Sequence, residues 1–276
     1  MLYIVETTKW SAGLAQLVAQ LICNHQVAGS SPAAGSIFLF YCMRDLSVKN
    51  SFFRTWNCCK ADFSPILPEL LSGGLKKCKV IYRTRHKECL LVTPEVSGLS
   101  YPVVFKRYAE KRFFRYFLRP SLAYREYLGF KLTAEAGIPA AEVVALGETR
   151  CFVKLEEAFF VTRYLEGYRD GAEFCHSGCD EKLKDDFIRQ NLSYLAKLHC
   201  AGLVHGCFHP RNEMWRMVEN GKMDIVWIDL ASVVPESKSR RFSRKGDLLR
   251  FLKEFGLSEA KEAEYRAFYR QEYSKY

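Results

Sequence analysis

Lys106 stands in the string VVFKRY, Glu126 in AYREYLGF and Asp229 in VWIDLAS. Between the last two lies LHCAGLVHGCFHPRNEMW, residues 198–215, which carries His205, Cys207, His209 and Asn212. In chain order these side chains supply most of what moves a phosphoryl group onto an alcohol. That reaction needs a lysine to hold phosphate oxygens, a glutamate to fix the lysine, a base to orient the hydroxyl, and oxygen ligands for magnesium. Lys106 and Glu126 suit the first pair of tasks, and Asn212 and Asp229 suit the metal. The base position falls to Cys207, an unusual residue type for it, with His205 and His209 on either side. Singly, each residue is ordinary: a strand lysine is most often surface, and His205 and Asp229 also read as satisfied polar groups beside a core. The signal is their order, with the right elements between them.

Positioning them takes strands first and helices later. Strand-like runs occupy 78–82, 88–93 and 102–108, with Gly98 and Ser100 marking the break before the third. Lys106 falls on that third strand. Pro120-Ser121 opens a helix that presents Glu126 and is stopped by Gly137-Ile138-Pro139. A short helix is expected at 66–71, further strands at 143–146 and 159–164, and a helix at 185–200 with Phe187, Leu192, Leu195, Ala196 and Leu198 as its apolar positions. Runs at 214–218 and 223–230 flank Glu219-Asn220-Gly221-Lys222. Asn-Gly between two apolar runs is a strong hairpin signal. The tail from Lys245 reads as helices, while 51–63 shows no clear period. Strands with one helix among them, then helices, predict an α+β chain in two lobes.

The loop string fits the kinase form His-x-Asp-x-x-x-x-Asn as His205-Gly206-Cys207-Phe208-His209-Pro210-Arg211-Asn212, and Asp229 stands where the metal-binding aspartate of the Asp-Phe-Gly element stands. Together with RPSLAYREYLGFKLTAEAGIPAAEVVALGE, VTRYLEG at the hinge position, AKLHCAGLVHGCFHPRN and WIDLAS, these strings make the stretch 75–255 resemble the lipopolysaccharide kinase family (the Kdo and heptose kinase group, InaA-like members included). The resemblance implies a protein-kinase-like fold, with a small β-rich lobe over 75–162 and a larger helical lobe over 163–276. It implies ATP and Mg2+ in the cleft. It also implies phosphorylation of a sugar hydroxyl on lipopolysaccharide core or a related glycolipid, at the cytoplasmic face of the inner membrane. Lys106 and Glu126 would then bind nucleotide, Asn212 and Asp229 the metal, and Cys207, His205 and His209 would form the catalytic set. His-Gly in the loop fits small-molecule and glycolipid kinases better than typical protein kinases.

Two departures stand out. No Gly-x-Gly-x-x-Gly occurs: Gly73 and Gly74 precede the first of these strands, and Gly98 comes just before the third. Cys207 replaces the aspartate that orients the acceptor hydroxyl. A thiol of ordinary pKa, about 8.5, is mostly neutral at pH 7, and a thiolate is softer and bulkier than a carboxylate. General-base assistance is worth on the order of 10² to 10⁴ in rate, so its loss leaves room for residual activity, with His209 as a substitute. The alternative reading is a pseudokinase that acts as a nucleotide-binding regulator or scaffold. A kinase for a cationic acceptor, such as an aminoglycoside, would want an acidic pocket, and the second lobe shows no obvious cluster of that kind.

The chain has 276 residues, 49% hydrophobic and 26% charged, which is ordinary for a globular protein with a substantial core. No apolar run nears the roughly 20 residues that span a bilayer, and the start lacks the pattern of a secretion signal. Eleven cysteines without a Cys-x-x-Cys pair point to reduced thiols and a cytoplasmic location. Cys175, His176 and Cys179 have no second ligand pair, so zinc is not expected. A net charge of +10 favours anionic partners. Lys106, Arg107, Lys111, Arg112, Arg115, Arg119 and Arg125 crowd one stretch, interleaved with Tyr108, Phe113, Phe114, Tyr116 and Phe117. This is either a face that meets lipid headgroups or phosphorylated sugars, or a solvated helix flank with its aromatics in the core. Nucleic acid is not expected as a partner. The head, 13–36, resembles a bacterial transfer-RNA gene translated in one frame, with GLAQLVA from the D-arm and VAGSSP from the T-arm. That reading makes 1–42 a spurious extension, Met43 the start and 43–74 a leader. The other reading is an apolar helix followed by a Gly/Ser/Pro linker.

Overall fold

The structure, a computed structural model, describes residues 53–59, 63–64, 66–109, 120–151, 154–176, 178–219 and 221–276. All of them belong to the compact unit Met43–Tyr276. The tRNA-like head, Glu110, the basic residues Lys111, Arg112, Arg115 and Arg119, and the aromatics Phe113, Phe114, Tyr116 and Phe117 lie outside the described residues.

The first half runs β1 (Phe53–Cys59), α1 (Leu67–Ser72), β2 (Lys79–Arg83), β3 (Lys87–Val92), α2 (Pro94–Ser97), β4 (Val103–Ala109), α3 (Leu122–Glu135), β5 (Val143–Cys151) and β6 (Lys154–Arg163). Its strands form one six-stranded sheet in the order β1-β5-β6-β4-β3-β2, antiparallel at every pairing. The period-2 alternation of β4 sorts its side chains between two environments. Phe105 stacks on Phe159 at 5.5 Å and joins Leu67 and Leu70 of α1 in one apolar cluster. Lys106 and Tyr108 project to the opposite face, where α3 packs. Ser121 starts α3 by accepting the Tyr124 N–H at 3.1 Å, an N-cap that satisfies one of the helix's orphan donors.

The second half carries β7 (Arg169–Asp170), α4 (Glu181–Cys200), β8 (Leu203–Val204), β9 (Glu213–Met217), β10 (Met223–Trp227), β11 (Val234–Pro235), α5 (Arg244–Lys253) and α6 (Glu259–Tyr273). Asp180 caps α4 through the N–H groups of Lys182 and Leu183, at 2.8 and 3.1 Å. The apolar face of α4 contributes Phe187, Leu192, Leu195 and Leu198 to the main core, and Phe130, Phe160 and Tyr108 of the first half join the same cluster. A small β-rich lobe and a larger helical lobe thus share a core through α3, the two-lobed α+β arrangement expected from the order of elements.

The boundaries differ from the sequence reading in an instructive way. β1 forms within a stretch without hydrophobic period, because its backbone pairs with β5 from Phe53↔Cys151 to Cys59↔Ala145. β5 runs on past the expected 143–146 to Cys151, and β6 starts at Lys154, ahead of the expected 159–164. The polar residues Glu148, Thr149 and Glu157 continue the hairpin register, as Glu148↔Ala158 and Thr149↔Glu157. α4 begins four residues before the expected start, at the turn that Asp180 caps. The expected hairpin is present: Met223 pairs with Met217, and the Val218 N–H donates to the Lys222 carbonyl at 2.9 Å. Its Asn220 lies outside the described residues.

Candidate functional site

Three ionic side chains from separate elements meet between the lobes. Lys106 Nζ pairs with Glu126 of α3 and lies 3.3 Å from Asp229 Oδ1. Glu126 is fully buried and accepts both the Lys106 ammonium and the Tyr108 hydroxyl. Burial alone would depress the Lys106 pKa, but the Glu126 and Asp229 carboxylates outweigh it and hold the amine above its ordinary range. Burial likewise pushes against ionisation of Asp229, and the ammoniums of Lys106 and Lys87 override it, so its carboxyl sits below the usual carboxylate range. Asp229 also has a left-handed backbone, φ 56°, alone in this among the described non-glycine residues. Aspartate is one of the few side chains that tolerates that region, and such strain tends to persist where surroundings fix it.

Local packing explains why these elements converge. The Trp227 N–H donates to the Pro139 carbonyl at 3.0 Å, and the Ala141 N–H donates back to Trp227 at 3.2 Å. The segment after α3 is thereby tied to the strand that ends just before Asp229. Gly129 brings α3 against the residue that follows Asp229, since a Cβ at 129 would overlap the Leu230 carbonyl oxygen.

The loop 205–212 rests on a ring stack. The His205 ring lies 5.2 Å from Phe208 and 5.3 Å from Trp227, and Phe208 stacks on Phe251 at 4.4 Å. His205 is fully buried. Its Nδ1 accepts the Cys207 N–H at 3.4 Å, and its Nε2 finds no partner among the described residues. Burial lowers its pKa to about 4, so the ring is neutral at physiological pH. His205 therefore belongs to the loop's foundation.

His209 has both ring nitrogens engaged: Nδ1 accepts the Arg211 N–H at 3.3 Å, and Nε2 lies 3.2 Å from Glu254. As a substitute base it would have to leave Glu254. Cys207 is exposed, and partial burial raises its thiol pKa, aided by Asp229 against the opposing pull of Arg250. A protonated thiol is what the cleft presents.

Several residues of the site were not read from the sequence. Asp247 of α5 is buried and accepts the N–H groups of His205 at 2.7 Å and Gly206 at 2.9 Å. The Arg250 guanidinium donates to the Gly206 carbonyl. Asp247 was detectable as an acid on the apolar stripe of α5, beside Leu248, Phe251 and Leu252. Lys87 of β3 also belongs here: its Nζ lies 3.4 Å from Asp229 Oδ1.

Of the basic stretch, Lys106, Arg107 and Arg125 are among the described residues. Lys106 is buried in the ion cluster, Arg107 pairs with Glu157, and Arg125 reaches the Ala231 carbonyl at 3.5 Å.

The oxygen donors fit a hard divalent cation. Asn212 Nδ2 donates to the Cys207 carbonyl at 3.4 Å, a bond that does not use its amide oxygen. Among the described residues no group of three or more His, Cys, Asp or Glu could hold a metal. A carboxylate and an amide oxygen are hard donors, the kind that Mg2+ takes together with substrate phosphates. At the Cys175 position burial pushes the thiol up to about 11, and Cys179 Sγ is turned to the Phe174 carbonyl at 3.8 Å.

The sequence profile of the lipopolysaccharide kinase (Kdo/WaaP) family matches residues 107–272. No curated protein sequence matches the chain. Among solved structures, WaaP in complex with acyl carrier protein superposes with a TM-score of 0.59 at 16% identity, over 80% of this chain and 89% of that one. At that identity the likeness speaks for the fold, and it agrees with the two-lobed kinase-like arrangement. Among the described residues no helix is long and apolar enough to cross a membrane.

Proposed function

The chain belongs to the lipopolysaccharide kinase (Kdo/WaaP) family, and from that premise we propose that it transfers the γ-phosphoryl group of ATP, with Mg2+, to a sugar hydroxyl of lipopolysaccharide core or a related glycolipid. The observation that carries the reading is the buried Lys106–Glu126 pair converging on Asp229. In this reading Lys106 holds phosphate oxygens, Glu126 fixes the ammonium, and Asp229 with Asn212 holds the metal, which neutralises phosphate charge when bound. Cys207 faces the acceptor. With its thiol protonated it removes no proton from the hydroxyl, so catalysis leans on positioning and electrostatics.

A second reading has its own support. The raised Cys207 pKa and the engagement of His209 by Glu254 leave the base position without a ready acceptor, as in a pseudokinase that keeps nucleotide binding for a regulatory or scaffolding role. The acyl carrier protein seen with WaaP is a partner to test here by co-purification. Peripheral contact with the cytoplasmic face of the inner membrane would serve either reading.

The deciding experiment follows labelled γ-phosphate from Mg-ATP into a glycolipid extract, with Cys207→Asp and Asp229→Ala beside the unmodified protein. Transfer by the unmodified protein that disappears in Asp229→Ala supports the enzyme. Transfer only after Cys207→Asp supports the pseudokinase. Absence of transfer in every variant removes the glycolipid substrate.

A further inference from the structure

The turn between β2 and β3 sits where a kinase's glycine-rich loop would cover the phosphates, and it contains no glycine: Thr84-Arg85-His86 leads straight into Lys87. Its amides are already used. The Thr84 N–H donates to the Lys87 carbonyl at 2.8 Å, and the Lys87 and His86 N–H groups donate to Thr84 Oγ1 at 3.0 and 3.4 Å. A glycine-rich loop holds phosphate through free backbone N–H groups; this turn has spent three of its own on itself.

What it offers instead is a side-chain cation at its exit. Lys87 Nζ lies 3.4 Å from the carboxylate oxygen of Asp229 that Lys106 also approaches, at 3.3 Å. The tyrosine rings of Tyr82 and Tyr108 flank the Lys87 ammonium at 5.4 and 5.6 Å. The two lysines are not equivalent. Lys106 has two carboxylate partners, Glu126 and Asp229, whereas Lys87 has Asp229 alone among the described residues. A divalent cation that takes Asp229 leaves Lys106 paired with Glu126 and takes from Lys87 its ion-pair partner, with Glu126 acting on Lys87 only through space. The side chain of Lys87 is about a quarter exposed, 23%, so that charge faces the cleft and is poorly solvated. The oxygens of a polyphosphate arriving with the cation are the complementary group.

We propose that Lys87 is a second phosphate-holding lysine, which grips the terminal phosphates of a nucleoside triphosphate by side-chain charge in place of glycine-loop amides. The proposal rests on the kinase reading above and goes beyond it in assigning how the triphosphate is held. It implies that affinity grows along the series AMP, ADP, ATP through Lys87 as well as Lys106.

The test is calorimetric titration of the full chain with each of these nucleotides in the presence of Mg2+, using Lys87→Met, Lys87→Gln and Lys87→Arg. The gain in affinity from AMP to ATP should fall by about tenfold or more in the Met and Gln variants, the scale of one charge-assisted contact. Binding of AMP should stay unchanged, and Arg should restore most of the gain. Two neutral variants are used so that the result does not hang on the folding of one, and unchanged AMP binding reports an intact cleft. If both neutral variants keep the full gain, Lys87 only neutralises Asp229 and the proposal is overturned while the kinase reading stands. If the unmodified chain binds none of the three, both fall together.

Discussion

Removing Asp247 should dismantle the loop that carries residue 207. Its carboxylate is buried and accepts two backbone N–H groups, from His205 at 2.7 Å and Gly206 at 2.9 Å, with His199 Nε2 at 3.4 Å. Leaving a buried donor unsatisfied costs about 1–3 kcal/mol, so Asp247→Ala should lose about 2–6 kcal/mol from its two orphaned amides. Against a total stability of about 5–15 kcal/mol, that brings the chain close to unfolding at ambient temperature. Asp247→Asn keeps one acceptor oxygen and should lose about half as much. Urea denaturation of the full chain measures both. A loss below about 1 kcal/mol in the alanine variant would refute the reasoning, because it would mean that the two amides find other partners and that Asp247 does not hold the loop.

Two further outcomes follow from the same geometry. Gly129→Ala forces a methyl onto the Leu230 carbonyl, and overpacking of this kind costs about 1–3 kcal/mol. Because α3 must retreat and take Glu126 with it, nucleotide affinity should drop together with the melting temperature. A second outcome concerns acid. His205 titrates near 4 in the folded chain, against an ordinary value of 6.5. Above pH 6.5 it is neutral in both states and carries no penalty. As pH falls towards 4 the unfolded chain takes up a proton that the folded chain refuses, so stability declines by up to about 3 kcal/mol. His205→Gln should flatten that slope between pH 6.5 and 4 in denaturation curves, and an unchanged slope would assign the acid sensitivity to other groups.

The ion cluster was legible in the sequence because its members sit on elements with strong local signals. Lys106 lies in an apolar run, and Glu126 follows a Pro-Ser helix start whose cap the structure confirms at Tyr124. Asp229 follows a hairpin. Lys87 and Asp247 were harder to read, for opposite reasons. Lys87 opens β3 directly after a polar turn, and its proximity to Asp229, across a separation of 142 residues, is set only by the packing of one lobe on the other. Asp247 follows Ser243 and looks like a first-turn acid of α5, a common helix-start preference, although its side chain turns inward to the loop. β1 escaped notice because its strand character comes from pairing with β5 and not from alternation. The burial of His205 is likewise a tertiary fact: the sequence shows a histidine two residues from the base position, and only the fold places it between Phe208 and Trp227.

The cysteine at 207 is best understood through what surrounds it. The backbone of the loop is held by Asp247 at 205 and 206, by Arg250 at the Gly206 carbonyl, by His205 at the Cys207 N–H and by Asn212 at the Cys207 carbonyl. Phe208 anchors the next residue in the core. None of these contacts uses the Cys207 side chain, which is exposed. The scaffold around the base position therefore does not depend on the residue that fills it, and a change there alters chemistry without altering the fold. Cys207→Asp should accordingly shift stability by no more than about 0.5 kcal/mol, the usual range for an exposed site. The new carboxylate's repulsion from Asp229, Glu213 and Asp247 is opposed by the attraction of Arg250, the groups that act in the same opposing directions on the thiol. Denaturant midpoints of the two proteins test this directly. A loss above about 2 kcal/mol would show that the thiol is packed into the loop after all, and activity gained or lost on substitution would no longer report on the proton acceptor alone.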